Sequence, residues 1–199
     1  MKLFSSPTSP FVRKVRILLI EKEATDLVSE VTVAAMSDPA ELHAANPLGK
    51  VPALEKDDGT TLFNSPLICQ YLDEKLPGKR LLPAIGDDYW KVMRLLTIGD
   101  GMSEAAFSLT MEKNRPEAER SAMWMSRWER AITRSLDLLE KEAASLEGDI
   151  DLGQIAIGCA LGYLDFRHGN LEWRDKRPTL AAFYDALAAR PSFKETAPA

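Results

Sequence analysis

The 199-residue sequence predicts an α/β domain over residues 1–80 followed by an all-helical bundle domain over residues 86–199. Three observations carry that expectation. Short strand-like and helix-like stretches alternate through the first domain in the order β-α-β-α-β-β-α, a parallel βαβ unit followed by a hairpin and a final helix. Strand signals nearly vanish from Asp87 onward, where long helical patterns take over. Between the two lies Pro77-Gly78-Lys79-Arg80-Leu81-Leu82-Pro83, a linker by composition.

Lys2-Leu3-Phe4-Ser5 reads as a short strand, and the turn-rich Ser6-Pro7-Thr8-Ser9-Pro10 follows it. From Phe11 to Glu23 the spacing is helical, with Val12, Val15, Leu18 and Leu19 on one face. Val28 to Val33 suggests a second strand, and Asp38 to Ala44 a short helix. Val51 to Glu55 and Thr60 to Phe63 are strands joined by the hairpin signal Lys56-Asp57-Asp58-Gly59. Pro66 to Lys75 is a helix with Leu67, Ile68, Tyr71 and Leu72 as its apolar side. In the second half, Asp87 to Lys113 and Pro116 to Leu146 are long helical patterns, Pro116 suiting the first turn of the latter. Leu152 to Tyr163 is apolar on most sides, which belongs at the centre of a bundle. Asp151 stands before it with Gln154 three residues on, a capping-box arrangement. Thr179 to Ala189 is a last amphipathic helix.

Apolar residues make up 45% and charged residues 28%, and the net charge is -5. No basic stripe stands out, which argues against a nucleic-acid partner. The longest aliphatic run, Ile17-Leu18-Leu19-Ile20, is far short of a membrane span, and the N-terminus lacks a signal-peptide apolar region. The two cysteines, Cys69 and Cys159, form neither a CxxC pair nor a disulfide framework. A reducing, cytoplasmic setting fits best. No cluster has metal-ligand spacing and no Gly-rich phosphate loop appears, so neither a metal nor a cofactor is expected.

The most informative stretch is Asn46-Pro47-Leu48-Gly49-Lys50-Val51-Pro52-Ala53-Leu54. A proline opening a short strand cannot donate its share of ladder hydrogen bonds. If the Val51-Pro52 bond is cis, the Val51 backbone turns outward and its N–H and C=O can pair with an extended peptide as a strand would. The other reading is an edge-strand proline in a tight turn. Ser65 precedes Pro66 at a helix start, where free N–H groups and the helix dipole favour an anion. It also suits a plain N-cap role.

Taken in order and spacing, this stretch, the segment Ser9-Pro10-Phe11-Val12-Arg13-Lys14-Val15-Arg16, the pair Asn64-Ser65 and the end Arg190-Pro191-Ser192-Phe193 resemble a cytosolic glutathione transferase. The resemblance covers nearly the whole chain, and the first segment is most similar to bacterial members with Ser-Pro-Phe at the first helix. It implies a thioredoxin-like N-terminal domain that binds glutathione, a helical domain that supplies the co-substrate pocket, and a homodimer. Glutathione would be a co-substrate, and the other partner a small hydrophobic electrophile.

Carried over residue by residue, the resemblance has Val51 pair with the cysteinyl backbone of glutathione beside Pro52, and Ser65 hold the γ-glutamyl carboxylate. Lys50, and His43 near it, can reach the glycyl carboxylate. Asn64 departs from the family, which usually has Glu or Asp there to meet the γ-glutamyl ammonium; an amide accepts a hydrogen bond but brings no charge. Asp100, from the fourth helix, would compensate across a dimer interface, and its flanking Gly99 and Gly101 equally suit a kink or close-packing site. Phe11 joins the glutathione-binding set. With Pro7, Met102, Ala106, Phe107 and Met111 it also lines the expected co-substrate pocket.

The reaction class needs the glutathione thiol, of pKa about 8.5 when free, ionised near neutral pH. Family members use Tyr, Ser or Cys near the end of the first strand. No tyrosine precedes Tyr71 and no cysteine precedes Cys69, so serine or threonine remains. Ser9 is placed best as the catalytic residue, with Thr8 and Ser6 as alternatives. A serine that caps the first helix accepts backbone N–H groups and keeps its own proton free to donate. The expected activity is conjugation of the glutathione thiolate to a small electrophile. The alternatives are a glutathione-binding stress or regulatory protein with little turnover, and an interaction domain.

Overall fold

The strands that the sequence predicts pair into one mixed sheet. In the computed structural model, which describes residues 1–198 and the side chains of all of these but 144 and 145, β1 (Lys2–Ser5) lies parallel to β2 (Ser29–Thr32), with Ser5 opposite Thr32. The helix α1 (Pro10–Glu21) connects them. On its other side β1 runs antiparallel to β3 (Ala53–Glu55), Phe4 opposite Ala53. In turn β3 pairs with β4 (Thr61–Phe63), Ala53 opposite Phe63. The sheet order is β2-β1-β3-β4. A short helix α2 (Ala40–Ala45) precedes β3, and α3 (Ser65–Lys75) follows β4.

Side chains alternate across the strands. Phe4 and Ala53 join Val33, Leu42 and Ala45 in one buried cluster, with Val51 and Phe63 packed against it. From the helices, Val12, Val15, Ile17, Leu18 and Leu19 of α1 and Ile68, Cys69 and Leu72 of α3 are buried. Leu67, expected on the apolar side of α3, is instead 49% exposed.

A buried ion pair fastens these helices. Lys22 Nζ lies 3.1 Å from Asp73 Oδ1 and 3.0 Å from the Lys79 carbonyl. The Asp73 carboxylate also accepts the N–H groups of Leu81 and Leu82 at 2.9 and 3.0 Å, and Arg80 Nε at 3.2 Å. Buried charges need this density of partners. The predicted linker is therefore tied down by one carboxylate.

The chain divides into two compact units, the first being Met1–Val92 with the segment from Pro191 onward, the second Met93–Arg190. In the first, α8 (Pro191–Glu195), absent from the sequence expectation, is held against α1. Arg13 Nη2 donates to the Phe193 carbonyl at 3.0 Å and Arg13 Nε to Thr196 Oγ1 at 3.4 Å. Ser192 Oγ donates to Glu21.

The second unit holds most of α4 (Asp87–Lys113) together with α5 (Ala122–Lys141), α6 (Leu152–Arg167) and α7 (Pro178–Ala188). Every residue from Leu152 to Leu164 is buried, so α6 is the predicted central helix. Asp151 and Gln154 form the expected capping box at 2.8 and 3.2 Å. The α5 start differs from expectation: the helix begins at Ala122 rather than Pro116, and Ser121 before it accepts the Trp124 N–H at 3.4 Å. Residues from Glu117 to Glu119 form only a 3₁₀ turn.

Helix α4 approaches α6 closely at Gly99. A Cβ there would lie 2.5 Å from the Ala156 carbonyl carbon, so the close-packing reading of the Gly99-Asp100-Gly101 stretch holds at its first glycine. His168, to which the sequence assigns no partner, is fully buried, with Nε2 2.9 Å from the Ala106 carbonyl and 3.0 Å from Thr110 Oγ1.

Candidate functional site

The sheet register decides which predicted residues meet. Because Phe4, Ala53 and Phe63 lie side by side, the chain leaves β1 after Ser5, enters β3 from Val51-Pro52 and leaves β4 toward Asn64-Ser65 at one end of the sheet. The N-termini of α1 and α3 sit at that same end. Neither helix carries an acidic residue in its first turn, so the positive end of each dipole is uncompensated by its own side chains. That combination favours an external anion.

Ser9 is the N-cap of α1. Its Oγ accepts the Val12 N–H at 3.3 Å and Pro10 follows in the first turn. The hydroxyl proton is thereby left for another acceptor. Thr8 and Ser6, like Ser9, are half-buried. Phe11 is the next residue of α1 after Pro10 and is also half-buried.

The Val51-Pro52 bond is cis. The ladder begins only at Ala53, so the expected strand start at Val51 is two residues early. Among the described residues, none hydrogen-bonds to the Val51 N–H or C=O. The turn before Val51 is braced from within by Asn46, which is buried. Asn46 Nδ2 donates to the Lys50 carbonyl at 2.7 Å, Asn46 Oδ1 accepts the Leu48 N–H at 3.0 Å, and the Asn46 carbonyl accepts the Gly49 N–H at 2.9 Å. The sequence reading gave Asn46 no role; the signal available was an Asx residue followed by Pro and Gly. Lys50 itself is exposed.

Ser65 is the first residue of α3 rather than its N-cap. Asn64 takes the cap position at φ +77, and its side chain makes no capping bond. Ser65 is 3% exposed and its Oγ has no hydrogen-bond partner among the described residues. A buried hydroxyl without a partner costs free energy, and natural proteins rarely leave one without a use.

Asp100 belongs to α4 in the second unit and is half-buried. Met102 and Ala106, expected to line a pocket, are instead buried in the core of that unit, 1% and 0% exposed, whereas Phe107 is 39% exposed. Cys69 and Cys159 are buried. Among the described residues no cluster of His, Cys, Asp or Glu suits a metal ion, and no helix is long and apolar enough to cross a membrane.

Known proteins resemble this chain in sequence and fold. The family models for the N-terminal and C-terminal domains of glutathione S-transferase match residues 3–80 and 122–186. The uncharacterised GST-like protein YibF of Escherichia coli K12 is 38% identical over 202 aligned residues, spanning 100% of this chain and 98% of that protein. A glutathione transferase family member from Pseudomonas fluorescens Pf-5, solved with bound glutathione, has a TM-score of 0.96 at 38% identity, covering 100% of this chain and 98% of that one. A glutathione S-transferase from Methylobacillus flagellatus KT, solved with glutathione bound, has a TM-score of 0.93 at 35% identity over 100% of this chain and 99% of that one.

Proposed function

This chain belongs to the glutathione S-transferase family, and on that premise we propose that it binds glutathione at the end of the sheet and activates its thiol against a small electrophile. Val51 pairs its N–H and C=O with the cysteinyl backbone, as an added strand would. Ser65 donates its hydroxyl and N–H to the γ-glutamyl carboxylate, at the positive end of α3. Lys50 meets the glycyl carboxylate. Ser9 donates its free proton to the thiolate, and the α1 N-terminus adds positive potential, both lowering the thiol pKa. The thiolate then attacks an electrophilic carbon, forming a thioether as the leaving group departs with the bond electrons. The protein's part is positioning and thiol activation.

The observation that best supports this reading is a buried Ser65 hydroxyl that, like the Val51 N–H and C=O, has no hydrogen-bond partner among the described residues. Asp100 of a partner subunit, in an expected homodimer, supplies the carboxylate for the γ-glutamyl ammonium. A second reading, a glutathione-binding protein with little turnover, is favoured by Asn64, an amide where the family usually carries an acid. Retention on immobilised glutathione followed by steady-state conjugation of an aryl halide separates the two. Retention with turnover, and turnover falling about ten- to a hundredfold in Ser9→Ala, supports the transferase. Full activity in Ser9→Ala removes the catalytic assignment. Retention without turnover leaves the second reading.

A further inference from the structure

We propose that Asp38 and His43 form a positioning pair for glutathione binding, acting through the Asn46–Lys50 turn that delivers Val51. The inference rests on the glutathione-binding reading above. Asp38 stands at φ +55 just before Pro39, which opens α2, and His43 lies in the last turn of that helix. His43 Nε2 lies 2.5 Å from Asp38 Oδ1, so the two side chains bridge the ends of α2. The pair is turned toward Gly49. The point where a Cβ of residue 49 would sit is 3.4 Å from His43 Nε2, 3.6 Å from His43 Cδ2 and 3.8 Å from Asp38 Oδ1.

Gly49 is the pivot of the turn. Its φ of +62 is a left-handed conformation that glycine adopts without steric cost. The backbone runs from it through Lys50 directly to Val51. Asn46 braces the turn from within, and the Asp38–His43 pair faces the side of Gly49 where a Cβ would stand. An imidazole N–H donates to the Asp38 carboxylate. With the His43 side chain 40% and the Asp38 side chain 82% exposed, the pair adds little to global stability. Its effect is local: it limits how far the turn moves, and with it the two backbone groups of Val51.

The test is calorimetric titration of glutathione and of γ-glutamylcysteine, which lacks the glycine, into the wild type, Asp38→Ala, His43→Ala and His43→Gln. The proposal expects both alanine variants to raise Kd for both ligands by about two- to fivefold, the scale of an exposed ion pair. His43→Gln keeps a donor for Asp38 and restores most of the affinity. Amide hydrogen exchange at Gly49, whose N–H the Asn46 carbonyl accepts, quickens in the alanine variants without ligand, while the melting temperature holds. Unchanged Kd and exchange in the alanine variants overturn the proposal. A loss seen with glutathione but not with γ-glutamylcysteine also overturns it, because His43 would then touch the glycyl carboxylate directly. A wild type that binds neither ligand removes the glutathione reading itself, whatever the variants do.

Discussion

Ser65 is buried at the head of α3, yet no described residue uses its hydroxyl. Removing a buried polar group that lacks a partner is nearly neutral or stabilising, whereas removing one that binds a charged ligand loses about 1.5–3 kcal/mol of binding. The two effects separate in one variant. Ser65→Ala is expected to keep or slightly raise the melting temperature of the free protein while weakening glutathione about ten- to a hundredfold. A drop in stability with unchanged affinity would make Ser65 a structural residue. Its neighbour Asn64 is exposed, at φ +77, with no capping bond. Asn64→Asp adds a second carboxylate to the one proposed from Asp100 of the partner subunit and is expected to tighten glutathione several-fold at low salt by calorimetry. Unchanged or weaker binding would show that the Asp100 carboxylate alone already satisfies the ammonium.

Helices α4 and α6 meet where Gly99 faces the Ala156–Ile157 peptide, and backbone atoms 2.5–2.7 Å from a new Cβ cannot yield as a flexible side chain would. Gly99→Ala therefore forces the helices apart and is expected to cost at least about 1–3 kcal/mol in urea denaturation. Gly101 is the control. Nothing lies within 4 Å of its Cβ position, so Gly101→Ala recovers helix propensity and stabilises by up to about 1 kcal/mol. Equal effects at the two positions would contradict the packing. The sequence could not separate these glycines, because what distinguishes them is a helix distant along the chain. The same limit explains what else was hidden. The capping box at Asp151 was legible because its partner lies three residues on. So was Ser9 as an N-cap, whose partner is Val12. The Lys22–Asp73 pair spans 51 residues and the Arg13 bond to Phe193 spans 180, and neither leaves a local signature. Of the candidate site, Val51, Pro52 and Ser65 are proposed from a proline-opened strand and a serine before a helix proline. The brace by Asn46 and the approach of Asp38 and His43 to the open side of Gly49 needed the turn itself.

Stability of the molecule should carry one acid-sensitive component, from His168. The Ala106 carbonyl can only accept, so it fixes the ring proton on Nε2 and leaves Nδ1 as a buried lone pair with no partner among the described residues. A second proton would arrive there in a dry place, near Lys113 and Arg167 as well as Glu129 and Tyr163. Burial first, with Lys113 and Arg167, pushes the pKa down, and the Ala106 bond and Glu129 oppose this. The unfolded chain takes up that proton near about pH 6.5. The stabilisation is thus complete above that value and lost as pH falls below it toward the folded pKa, at up to about 1.4 kcal/mol per unit. Denaturation midpoints at about pH 7.5 and 5.5 should fall further apart for the wild type than for His168→Gln; equal separation would show that His168 is not responsible. As proposed, the chain as a whole binds glutathione and ionises its thiol. Titrating glutathione into the protein while following thiolate ultraviolet absorbance against pH reads both at once. Saturable binding is expected, with a bound-thiol pKa below about 8.5 that moves back up in Ser9→Ala. A bound thiol that titrates like free glutathione, or no saturable binding, would contradict it.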